Sequence, residues 1–84
     1  MESEFKKQIE DAVGIAYERY CQRHPTISQA LENSRVQIIS SAVDSIEDDP
    51  EVAVALKMAE SETGLQKIVE VADRYLPSLI SLFL

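Results

Sequence analysis

Few side chains in this sequence could do chemistry, and the first to consider are Cys21 and His24, its one cysteine and one histidine. Three residues apart on a helix, they share a face and could supply two ligands to a metal. A symmetric dimer would complete four; one chain alone holds neither a His-rich metal site nor a disulfide. A thiol beside an imidazole is also the start of nucleophilic chemistry. That chemistry needs a third orienting group and an anion hole, and no neighbouring residue suggests either. On the helical wheel the pair lies beside Tyr17, at the edge of an apolar face, which reads as partly buried structure. No catalytic residue, no metal and no cofactor is expected, and the chain does not read as an enzyme.

Carboxylates are the next candidates. Asp44, Glu47, Asp48, Asp49, Glu51, Glu60 and Glu62 face a single base, Lys57, in a chain of net charge −7. A calcium loop needs oxygen ligands at alternating positions and a glycine at the sixth. Counted from Asp44, the third position is Ile46 and the sixth is Asp49, so the pattern fails. Solvated acids and helix caps are the expected reading. An acidic decoy that occupies a basic protein's groove through Asp48, Asp49 and Glu51 is a second one.

Within this stretch, Asp44-Ser45-Ile46 is similar to the Asp-Ser-Leu motif of acyl carrier proteins, which are also small, acidic and four-helical. The run Val52-Ala53-Val54-Ala55-Leu56 adds to the likeness. The resemblance covers only residues 44–56; it implies that Ser45 opens a helix and carries phosphopantetheine. The sequence departs from the family pattern in three ways. No glycine precedes Asp44, Pro50 falls where the helix should run, and Asp49 is a better cap than Asp44.

Two further features point to binding. Residues 76–84 hold Leu76, Leu79, Ile80, Leu82, Phe83 and Leu84, so a helix there is apolar nearly all round and must be covered on more than one side. One side faces the protein itself; the other is expected to meet a second copy or another protein, through Leu76, Leu79, Ile80, Leu82 and Phe83. Arg35 falls within an apolar arc and must either reach water along its stem or pair with a carboxylate. A pair in a subunit contact would give specificity, so Arg35 joins the candidate interface.

These residues need elements to position them, and every periodic segment reads as helix. A first helix is expected from Ser3 or Glu4 to about Arg23, with Ser3 as cap and Phe5, Ile9, Ala12, Val13, Ala16 and Tyr20 on one side. Gly14 falls on the polar side, where it costs about 1 kcal/mol against alanine. Pro25 ends that helix. A second is expected from a Thr26–Gln29 capping box to about Ile46, with an arc wide enough for a central helix. A third starts at Asp49-Pro50-Glu51 and places Val52, Ala55, Leu56 and Ala59 inward, with Gly64 closing it in the left-handed region. A fourth runs from about Leu65 to Tyr75 or Leu76. Leu65, Val69, Ala72, Leu76, Leu79 and Phe83 form a heptad seam through Pro77, which either kinks this helix or separates a short fifth.

The expected fold is therefore all-α, a compact bundle of four amphipathic helices plus a short apolar C-terminal helix or kinked extension after Pro77, in one domain over 1–84. At 84 residues, such a chain buries only about 60–65% of its unfolded surface, so a partner subunit is the support left open. Nucleic acid is not an expected partner, because no basic face is clustered and the reader helix of a helix-turn-helix would start among the acids. Membrane insertion is not expected either: no apolar run is long enough, and the tail lacks bases. The charged start (Glu2, Glu4, Lys6, Lys7) is unlike a signal peptide, and a lone cysteine suits a reducing cytosol, so the chain is expected in the cytoplasm.

Overall fold

The computed structural model describes residues 2–57 and 62–84, with the side chains of 5–57 and 63–84. The expected core position Ala59 and the acid Glu60 lie outside them, as do the side chains of Ser3 and Glu62. The described residues are all-α. The elements are α1 (Glu2–Arg23), α2 (Pro25–Ala30), a 3-10 turn (Glu32–Ser34), α3 (Arg35–Ile46), α4 (Pro50–Leu56) and α5 (Glu62–Ser81). The Cα radius of gyration is 12.4 Å, against about 12 Å for a compact chain of this length.

α1 forms as its periodicity requires, except that Phe5, expected on the inward side, is 42% exposed. Ile9, Ala12, Val13, Ala16 and Tyr17 are buried on one side, and Tyr20 packs against them in part. The helix begins at Glu2, one residue ahead of the expected Ser3 cap. A Cβ placed on Gly14 would meet nothing within 4 Å, and its φ is not positive, so neither crowding nor backbone geometry demands glycine. Gly14→Ala is therefore expected to raise stability by about 0.5–1 kcal/mol, read as a higher urea midpoint at unchanged slope.

The second expected helix is in fact two. His24, at φ −134° and ψ 71°, is the single residue between α1 and α2. Pro25 takes the first helical position, and the His24 carbonyl accepts from the Ser28 N–H at 2.9 Å. The Thr26–Gln29 capping box does not form, because the helix is already under way at Pro25. α2 stops at Leu31, which is fully buried, and Asn33 and Ser34 close a 3-10 turn with a Ser34 N–H to Leu31 C=O bond of 2.8 Å. Asn and Ser bond to nearby backbone and so weaken a helix interior. The turn lets α2 lie on α1 while α3 packs on both α1 and α5.

α4 starts where its local chemistry says. Asp49 is the cap, accepting from the Glu51 N–H at 2.8 Å, and Pro50 follows. Val52 and Ala55 are buried and Leu56 partly so. Gly64 does not close this helix: no described glycine has positive φ, and Gly64 lies buried in the first turn of α5. α5 then runs unbroken through Pro77 to Ser81. The central element is α5, not the second expected helix. It packs on α1, α3 and α4, and so buries Ile68, Val69, Val71, Ala72, Leu76 and Ile80, a wider stripe than a heptad seam.

Candidate functional site

Two structures meet at the C-terminal half of α5: a polar latch to α4 and an apolar ridge. The latch is built from Asp49, Glu51, Arg74 and Tyr75. The Tyr75 hydroxyl donates to Asp49 Oδ2 at 2.7 Å, while Asp49 Oδ1 caps α4. Arg74 pairs with Glu51 on the first turn of α4. Side chains 23 and 26 positions apart in the chain thus clamp the start of α4 to α5, through neighbouring residues on α5 and residues two apart at the start of α4. A cleft of about 480 Å³ opens beside the clamp, lined by Pro50, Ser78 and Leu79 among others.

The electrostatics follow from these contacts. The Tyr75 hydroxyl, and then the Glu51 N–H, hold the Asp49 carboxyl below the usual carboxylate range. The Tyr75 phenol is pushed up, first because its proton is held by Asp49 and then by burial. The Arg74 guanidinium is held more firmly protonated by Glu51. Asp49, Tyr75 and Arg74 each favour the charge state they have near neutrality, so this arrangement fastens helices. Stability from Asp49 is complete above its unfolded-chain value and is lost as pH falls through the lower folded value. Stability from the Tyr75 proton is complete below the unfolded phenol value and is lost as pH rises through the higher folded one. Tyr75→Phe is expected to lower Tm by a few degrees near neutrality and to shrink the acid limb of a Tm-against-pH curve; an unchanged acid limb would count against the latch.

The ridge is the tail of the sequence, and the structure divides its residues. Leu76 and Ile80 are 0% and 1% exposed, part of the chain's own core. Leu79 and Phe83 are half-buried, and Leu82 and Leu84 stand 79% and 66% exposed. Leu79, Leu82 and Phe83 are spaced i, i+3, i+4 and share a face, tightened by the Leu82 N–H to Leu79 C=O and Phe83 N–H to Ile80 C=O bonds at 3.1 and 2.9 Å. A contact with another chain can reach these three and Leu84, but not Leu76 or Ile80 without unfolding the core.

Arg35 is elsewhere. Its guanidinium is exposed, 3.4 Å from Glu18 and 5.3 Å above the centre of the Tyr17 ring. It snorkels, with an exposed partner from its own chain, and shields the ring it lies over. It lines a surface hollow with Leu65, and Leu65 is about 25 Å from Leu82 along α5. Arg35 and the ridge are two surfaces, not one. Arg35→Ala is expected to cost less than about 1 kcal/mol, the range of an exposed pair and an exposed cation–π contact; a larger loss in a urea melt would mean the pair is worth more than its exposure allows.

The remaining candidates are scattered. Cys21 is a half-buried free thiol, and the exposed His24 ring lies against Tyr20 with centroids 4.5 Å apart. Burial, then the Cys21 side chain, raises the Tyr17 phenol. Among the described residues, no three His, Cys, Asp or Glu side chains converge to hold a metal. Ser45 is the penultimate residue of α3, exposed, donating to the Ser41 carbonyl at 2.8 Å; it closes a helix where the carrier-protein resemblance needs it to open one. Of the decoy acids, Asp49 and Glu51 are committed to the latch, while Asp48, with Asp44 and Glu47, is exposed. No described helix is long and apolar enough to cross a membrane.

Comparison with protein-family models, with curated proteins and with solved structures gives no match to this chain. Its function is read from its own residues.

Proposed function

We propose that this chain is a small acidic interaction module that self-associates through the C-terminal part of α5. The observation that carries the reading is the ridge: Leu82 and Leu84 lie mostly in solvent beside half-buried Leu79 and Phe83, at and just beyond the end of α5, whose opposite side is already filled by the core. Apolar side chains scattered singly are ordinary, but four within six positions form a patch. A second copy suits it because α4 is latched to α5 one to two turns upstream of the patch, and the cleft at Leu79 extends the surface a partner would cover. The paired ridges would be apolar at the centre with Arg74 and Glu51 at the rim, the usual order of an interface.

Leu82→Glu tests this without touching the core, since Leu82 is 79% exposed. Truncation after Tyr75 is a poorer test, because it also removes the buried Leu76 and Ile80. In light scattering, wild type is expected to gain mass with concentration, and Leu82→Glu to stay monomeric at the same far-ultraviolet spectrum and Tm. An assembly indifferent to Leu82→Glu would place the contact elsewhere.

A further inference from the structure

A second surface, at the other end of α5 from the ridge, has a composition the fold itself does not account for. Gly14 lies on the outward side of α1, where a glycine is unfavourable to a helix, and nothing in the chain fills the space its missing side chain leaves. That space is part of a shallow hollow of about 610 Å³ that crosses α1. Ile39 of α3 flanks it on one side, Ile15 and Leu65 on the other, all three only partly buried. A neighbouring hollow of about 380 Å³ between α1 and α3 shares Glu10 and Ile39 with it and adds Val36, which is 79% exposed. The two form one apolar track with bare backbone at its saddle, the form that admits the close approach of another helix.

The rim decides what lies there. Glu10, Asp11 and Glu18 border the saddle and Asp44 the adjoining hollow, against two cations, Arg35 and Lys6. Arg35 is paired with Glu18, and no cation lies within ion-pair distance of Glu10 or Asp11 among the described residues. Lys6 and Lys7 stand one turn upstream, in the less favourable order for pairing along a helix. A second copy of this chain, itself at −7, would bring like charge to that rim. We infer that the saddle receives a basic amphipathic helix of another protein, its apolar side chains against Ile15, Ile39 and Leu65, its backbone against Gly14, and its lysines or arginines against Glu10 and Asp11. This contact is independent of self-association through the ridge.

The probe is a synthetic amphipathic helix with leucines at i, i+3, i+4 and i+7 and lysines elsewhere, added to the full chain. Amide shifts are expected to move at Gly14, Ile15, Ile39 and Leu65, with affinity falling as salt is raised. Gly14→Leu fills the saddle and is expected to weaken binding about tenfold or more, with Tm no lower than wild type. Glu10→Lys with Asp11→Lys is expected to do the same, while the equal charge change at Glu47→Lys with Asp48→Lys is not. No binding, equal loss in both charge variants, or indifference to Gly14→Leu would each overturn the proposal. So would movement of the same four amides on concentrating the chain without peptide, which would give the saddle to a second copy.

Discussion

Leu76→Ala is expected to lower the free energy of unfolding by about 2–5 kcal/mol, and to do so whatever the protein concentration. Leu76 is fully buried in the chain's own core, on the inward side of α5 beside Ala72 and Ile80. Removing its branched end leaves a cavity that the surrounding helices close only in part. A domain of this size is held by about 5–15 kcal/mol, so the variant stands near the edge of folding at room temperature. Concentration is the discriminating variable. A residue lost from a subunit interface weakens a stability that rises with protomer concentration; a residue lost from the monomer core shifts the curve by one amount throughout. Urea melts at two widely spaced concentrations separate these. A loss confined to the concentrated sample would put Leu76 in the interface.

Pro77→Ala is expected to act in the other direction, raising stability by up to about 3 kcal/mol. Pro77 lies inside α5, with its ring exposed to solvent. It lacks the N–H that the Asp73 carbonyl would otherwise receive, and its ring crowds that carbonyl. Alanine restores the bond and removes the crowding without opening a cavity, because the ring fills no part of the core. The gain appears as a higher urea midpoint and slower unfolding. A loss instead would show that the proline sets the direction in which the last turn leaves α5, and that Ile80 and Phe83 depend on it for their packing.

Helical content and the face of each helix were legible in the residues because each is a local pattern with a hydrophobic period. Asp49-Pro50-Glu51 was legible for the same reason: cap, first position and dipole charge are all contained in three residues. The break after Leu31 was not, because the wheel positions of Ile27, Leu31, Ile38 and Ala42 stay in phase across it; what changes is the helix direction, imposed by packing on α1 and then α5. The role of Gly64 was misjudged, and the choice between the two readings of Pro77 stayed open, for a related reason. Both residues are helix stoppers by propensity, and in α5 the burial of a stripe from Ile68 to Ile80 outweighs them. Arg35 could be seen to need water or a carboxylate, but Glu18 could not be named as its partner. The latch left no local trace at all. Asp49 and Tyr75 are 26 positions apart, and only the docking of α4 on α5 brings the phenol to the carboxylate. The tail was legible as an excess of apolar residues, while its division into core (Leu76, Ile80) and surface (Leu79, Leu82, Phe83) needed the neighbours of α5.

Self-association through the ridge is tested most directly by an amide chemical-shift series on the wild-type chain over a wide range of concentration. Progressive, saturable shifts at Leu79, Leu82, Phe83 and Leu84, with Gly14 and Ile39 unmoved, are the expected result. Spectra that do not change with concentration, or shifts that gather on another face, would contradict it.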